Sequence, residues 1–152
     1  MRTVGDLVKG RSFYSAASSQ SVYDTARYMA EKDIGAVPVL ENDRLVGIFS
    51  ERDIIKRVIV GGKDFRQTLI KDVMTTEVVV AQSTEDVTSV MEKMKKYRCR
   101  HMPVIAGEQV VGFLSLRDLL FADIEEKDAQ VQQLNSYVYY SPENPAGKSQ
   151  SD

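Results

Sequence analysis

The sequence predicts an α+β fold built from two pseudo-symmetric units, each roughly α-β-α-β-β-α. The units pack sheet to sheet and a long C-terminal helix follows them. Three observations predict this. The 152-residue chain matches itself at an offset of 65 positions. Each matched stretch carries the same order of helical and strand periodicities. And each unit makes a small sheet whose apolar face needs cover, which a second, similar unit supplies.

The self-match aligns Ser21–Ile55 with Asp86–Leu120 without a gap, and nine of the 35 pairs are identical. Among them are Met29/Met94, Pro38/Pro103, Val46/Val111, Gly47/Gly112, Ser50/Ser115, Arg52/Arg117 and Asp53/Asp118. With one residue of slack, Val4–Val8 also matches Ile70–Met74. Each copy opens with a short helix there, then a short strand at Phe13–Ala16 or Val78–Ala81.

An amphipathic helix follows. In the second copy Ser83-Thr84-Glu85-Asp86 offers a capping box into Val87, Val90, Met91 and Met94 on one face. In the first, Val22, Ala26, Met29 and Ala30 form that face. Two apolar strands then make a hairpin: Ala36–Leu40 with Leu45–Phe49, and Met102–Ile105 with Val110–Leu114. A second helix closes each copy, from Glu51 and from Leu116. Gly61-Gly62-Lys63-Asp64 reads as the linker, which divides the chain into 1–64, 65–140 and a tail, 141–152. The last helix runs long through Ile124, Val131, Leu134 and Val138. The Pro-, Ser- and Gly-containing tail reads as disordered.

Composition narrows the chemistry. A formal net charge of −2 lacks the excess of Lys and Arg expected of a nucleic-acid binder. No apolar run is long enough to span a bilayer, and neither a secretory nor a transit peptide is visible at the N-terminus. One cysteine, Cys99, and one histidine, His101, exclude an intrachain disulfide and any multi-His or multi-Cys metal site within one chain. P-loop, Rossmann and nucleophile-elbow patterns are absent. These readings point to a cytoplasmic protein with no metal and no catalytic machinery.

Gly47-Ile48-Phe49-Ser50-Glu51-Arg52-Asp53 takes a strand into a helix. Free N–H groups at such a helix start attract anions. Asp53 offers acceptors for two vicinal hydroxyls, Arg52 a planar donor fork, and Gly47 room for a close backbone approach. Gly112, Ser115, Arg117 and Asp118 repeat the pattern. The plainer reading is that Ser50 caps the helix and Asp53 sits in its first turn; the two readings are compatible.

Two x-Pro-Val strands, two Val-Gly-apolar-apolar-Ser strand ends and two Ser-x-Arg-Asp helix starts, in register, resemble the CBS domain. A tandem pair resembles a Bateman module, and the resemblance covers about residues 1–125. It implies a regulatory module rather than an enzyme. It implies an adenosine-containing ligand, AMP first, with ADP, ATP, S-adenosylmethionine or NAD(H) as alternatives. It also implies a homodimer that acts on a protein partner the sequence does not name.

The same resemblance puts ribose hydroxyls on Asp53 and Asp118. It puts base or phosphate near Gly35-Ala36-Val37-Pro38 and Arg100-His101-Met102-Pro103. In the symmetric packing it implies, Arg100 and His101 approach Arg52 and Asp53 in one cleft. Ser115, Arg117 and Asp118 then join Gly35, Ala36, Val37 and Pro38 in the other. The first cleft, richer in cations, is expected to favour phosphate, with His101 making that binding pH-dependent. Arg98 reads as a solvated loop charge, Cys99 as a small core residue. Tyr137, Tyr139 and Tyr140 read either as a dimer contact or as packing on the chain's own surface. A small nucleotide-processing enzyme and a ligand-free scaffold are the competing classes.

Overall fold

The computed structural model describes the backbone of residues 2–139 and the side chains of 2–136. The tail at 141–152 and the three C-terminal tyrosine side chains lie outside the described residues. The first copy comprises helix α1 (Val4–Val8), β1 (Ala16–Ala17), α2 (Val22–Lys32), β2 (Ala36–Glu41), β3 (Arg44–Ser50) and a helical turn, α3 (Glu51–Asp53). The α3 turn continues into a π-helical stretch, Ile54–Ile59, and a 3-10 turn follows at Ile70–Asp72. The second copy adds β4 (Ala81–Gln82), α4 (Val87–Tyr97), β5 (His101–Ala106), β6 (Gln109–Ser115) and α5 (Leu116–Tyr139).

Each copy contributes one three-stranded sheet, ordered β1-β2-β3 and β4-β5-β6. In each, the outer strand is parallel to its neighbour and the last two form an antiparallel hairpin. The repeat extends to irregularities: the hairpins shift register between Val39 and Leu40 and, 65 residues on, between Val104 and Ile105. The first hairpin turns on Asn42 and Asp43, both at positive φ (51° and 61°), a geometry these residues tolerate. The two sheets meet through β3 and β6.

The outer strands are shorter than the apolar runs suggest. Phe13–Ala16 reduces to Ala16–Ala17, and Val78–Ala81 to Ala81–Gln82, paired at Val39/Leu40 and Val104/Ile105. Pro38 and Pro103 precede those paired positions and have no N–H to carry a ladder further. Val78 and Val79 lie outside the strand, and the Val78 N–H donates to the Thr76 carbonyl at 3.1 Å.

The caps also differ from expectation. Helix α4 is capped by Asp86, which accepts from the Ser89 N–H at 2.9 Å, rather than from further upstream. Glu85 instead accepts from the Gln82 N–H and from Lys93 Nζ. Along α2, Thr25 is buried in place of Ala30, its hydroxyl satisfied by the Ser21 carbonyl at 2.8 Å. The closing helix of the first copy widens into π geometry over Ile54–Ile59.

Two apolar cores result, and neither comes from one contiguous copy. Val4, Leu7 and Val8 of α1 pack into the second core with Val90, Met94, Met102, Leu114 and Leu119. Ile70, Val73 and Met74 pack into the first with Val22, Met29, Val37, Val39 and Phe49. Backbone bonds fix both exchanges: the Val4 N–H donates to the Glu85 carbonyl at 2.8 Å, and the Val22 N–H to the Thr68 carbonyl at 2.9 Å. The repeat glycines are where the exchanged segments press closest. A Cβ on Gly47 would meet Met74 Sδ at 2.7 Å and the Thr75 carbonyl oxygen at 2.8 Å; one on Gly112 would overlap Val8.

Candidate functional site

Both Ser-x-x-Asp elements form reciprocal caps. Ser50 accepts from the Asp53 N–H at 3.3 Å while Asp53 Oδ2 accepts from the Ser50 N–H at 3.0 Å. Ser115 and Asp118 do the same at 3.1 and 2.8 Å. The capping role is therefore present in both copies, and each aspartate is held at the start of a helix.

In the same way, the residue before each hairpin is tied to the closing helix. The Glu51 N–H donates to the Gly35 carbonyl at 3.0 Å, and the Leu116 N–H to the Arg100 carbonyl at 2.7 Å. A cleft of about 520 Å³ opens between the copies, within the range of small-ligand sites. From the first copy it takes Gly35, Ala36, Ser50, Glu51, Arg52 and Asp53; from the second, Arg98, Cys99, Arg100 and His101. Arg52 and Asp53 thus share a cleft with Arg100 and His101.

Gly35 and Ala36 lie in this cleft, not on the Asp118 side, because the β2–β3 register sets Ala36 opposite Ser50. Val37 and Met102 do not reach it, since their side chains fill the two cores. Pro38 and Pro103 are buried within their strands. Ser115, Arg117 and Asp118 lie outside this cleft, with Arg117 set over the Phe121 ring.

Lys56, Thr75, Glu77 and Tyr97 line the cleft without having been signalled by sequence. Thr75 is brought in by a two-way backbone bridge to Ile48, both bonds 2.9 Å. The lining therefore carries four permanent cations (Arg52, Lys56, Arg98 and Arg100) against the carboxylates of Glu51, Asp53 and Glu77. Arg98 ends α4 in the left-handed conformation (φ 54°); it is an exposed turn residue, as expected, and it also lines the cleft.

His101 stacks on Phe113, centroids 5.6 Å apart and planes 9° apart. Burial pushes its imidazole below the ordinary value; Asp118 and Glu51 oppose that shift and Arg100 reinforces it. A depressed histidine stabilises the fold above its unfolded pKa, about 6.5. That stability is lost as pH falls through the unfolded value toward the folded one. Denaturant titrations from pH 7.5 to 5 are expected to show a steeper acid-side loss in the wild type than in His101→Phe. Equal slopes would contradict this.

Cys99 packs against the second core while one side faces the cleft, and burial pushes its thiol up, away from a reactive thiolate. Among the described residues, no group of three or more His, Cys, Asp or Glu is placed to hold a metal ion. No helix among them is long and apolar enough to cross a membrane.

The CBS-domain family profile matches twice, over residues 4–60 and 70–125. The chain belongs to the CBS-domain family. It is similar to the mitochondrial CBS domain-containing protein CBSX3 of Arabidopsis thaliana: 31% identical over 148 residues, covering 90% of this chain and 71% of that protein. Among solved structures, a CBS-domain containing protein from Agrobacterium tumefaciens is 33% identical with a TM-score of 0.73, covering 80% of this chain and 98% of that one. The CBS domain pair of protein MJ0100, solved with 5′-methylthioadenosine and S-adenosyl-L-methionine, is 26% identical with a TM-score of 0.71; the match covers 83% of this chain and 98% of that one. These matches agree with the α+β architecture of paired CBS units and the long last helix.

Proposed function

We propose that this CBS pair is a non-catalytic sensor of an adenosine nucleotide, AMP first among the candidates, with ADP, ATP and NADH as alternatives. The observation that carries the reading is the cleft between the copies, where cations from both converge beside a helix start. The phosphate end of the ligand lies against Arg52, Lys56, Arg98 and Arg100, and the base toward Gly35, Ala36 and the apolar Val78–Val79 lining. The adenosine ligands of MJ0100, a relative of the same fold, support the ligand class. The reading assigns a regulatory role without turnover, which the family membership supports. Ligand then acts by preferring one of two conformations of the pair.

A thermal-shift panel of AMP, ADP, ATP, NAD⁺, NADH and S-adenosylmethionine tests this. At about 100 times the dissociation constant, binding adds about 2.7 kcal/mol. That corresponds to a rise of roughly 5–11 °C for a chain near this size. A selective rise with one adenosine ligand supports the sensor. A flat response from ligand-free protein favours a scaffold.

The same reading makes the protein a homodimer in a reducing, cytoplasmic compartment, with a regulated protein as its further partner. Exposed apolar residues recur at the repeat offset on the closing helices, Ile55 with Leu120 and Ile59 with Ile124. Such a paired patch suits a second copy. Ile59→Glu with Ile124→Glu is expected to shift the mass in light scattering from dimer to monomer. An unchanged dimer would place the interface elsewhere, and cell fractionation checks the compartment.

A further inference from the structure

His101 is the only histidine of the chain, and the fold brings it to the cleft between the copies. It opens β5 opposite Ser115, and its ring lies flat against Phe113 of β6, 5.6 Å between centroids. One face of the ring is therefore covered by its own hairpin. No hydrogen bond joins either ring nitrogen to the described residues, and neither nitrogen is shut off from solvent. Both remain open to water or to a ligand in the cleft.

The charge around it is unspent in the same way. Arg52, Lys56, Arg98 and Arg100 line the cleft, and none of them forms an ion pair among the described residues. Arg57, next to Lys56 on the same helical stretch, is by contrast committed to Asp53 and to the Met74 carbonyl. The charges that act on the ring come from three elements: Asp118 at the start of α5, Glu51 on the α3 turn and Arg100 beside it on the chain. Asp53 and Glu77 complete the carboxylates of the cleft, and burial pushes the Cys99 thiol up, away from ionisation.

We propose that an anion entering this cleft is bound together with a proton, which His101 takes up from solvent, so that the ligand's phosphate is held by an imidazolium as well as by the permanent cations. In the free protein, burial and Arg100 favour the neutral ring, with Asp118 and Glu51 opposing them. A phosphate dianion beside the ring reverses that balance, because an opposite charge within about 4–6 Å favours the charged form. Protonation also turns the second ring nitrogen from an acceptor into a donor. Proton and ligand then raise each other's affinity by the same factor. Above neutrality, affinity falls as pH rises through the pKa of the bound state. The inference rests on the nucleotide reading given above and adds that the sensor reports acidity together with nucleotide.

With a single histidine, untagged protein gives one titrating imidazole Hε1 resonance. Following it by NMR from about pH 5 to 9, with and without saturating AMP, tests the inference. AMP is expected to raise the midpoint by about one pH unit or more, which is a tenfold or greater preference of the ligand for the protonated protein. Adenosine, which lacks the phosphate, is expected to leave the midpoint in place. In calorimetric titrations AMP is expected to bind about threefold or more weakly at pH 8.5 than at pH 7, both above a second phosphate pKa of about 6. In His101→Gln that dependence is expected to vanish. A midpoint unmoved by saturating AMP overturns the inference, as does an equal rise with adenosine or a pH dependence that survives in His101→Gln. Failure of the wild type to bind AMP at either pH defeats the nucleotide reading itself.

Discussion

Replacing Phe49 with alanine is expected to lower the unfolding free energy by about 3–5 kcal/mol, the usual range for removing a fully buried aromatic ring. Phe49 has no exposed surface and belongs to the first core with Val22, Met29, Val37 and Val39. It sits on β3 directly opposite Val37, one residue before Ser50. The cavity left by the ring therefore lies beneath the turn that holds Ser50 and Asp53. A chain of this size has a total stability of the order of 5–15 kcal/mol, so the loss is a large fraction of it. Urea denaturation monitored by circular dichroism measures it directly. A cost under about 1 kcal/mol would mean that the first core collapses around the gap or does not depend on this ring.

Leu7→Ala is expected to cost about 2–5 kcal/mol and to act at a distance in sequence. Leu7 belongs to the first copy, but its side chain packs in the second core with Met94, Met102 and Leu114. Its helix is held by the Thr3–Asp6 capping box and by the backbone bonds of Val4 and Gly5 to Glu85 and Ser83. Loss of the side chain should loosen α4 and the β5–β6 hairpin before the first sheet. Hydrogen exchange with mass-spectrometric readout separates the two cores by peptide. Faster exchange in 87–115 with 37–50 unchanged is the expected pattern, and the reverse would contradict the exchanged packing.

That exchange marks where sequence reading stopped. The hairpins were legible because apolar alternation, a polar turn and the 65-residue repeat agree on them. The amphipathic helices were legible for the same reason, although periodicity could not distinguish Ala30 from Thr25, a polar residue buried by virtue of one backbone hydrogen bond. Two-residue strands carry too little pattern to be delimited, and the prolines that stop them act on a neighbouring strand. Short segments such as Val4–Val8 and Ile70–Asp72 announce themselves as repeats but not which core they enter.

The site was legible in the same uneven way. Ser50, Arg52, Asp53, Arg100 and His101 come from motifs, and the cleft unites them. Gly35 and Ala36 follow the sheet register to the Asp53 side. Val37 and Met102 face the cores because side chains alternate along a strand. Thr75 and Glu77 sit in an irregular segment with no periodicity, and Lys56 on a helix whose π geometry no pattern signals. The near-complete burial of Asp53 involves Thr75 and Arg57, whose repeat positions hold Lys9 and Ala122, so the repeat itself concealed the difference.

The central claim is that the cleft between the copies binds an adenosine nucleotide through Arg52, Arg98, Arg100 and Lys56. A crystal structure of the ligand-free protein soaked or co-crystallised with AMP at saturating concentration tests it most directly. The expected result is nucleotide in the Asp53 cleft with its phosphate against those cations. A cleft left empty at saturation, or nucleotide confined to the Asp118 side, would contradict it.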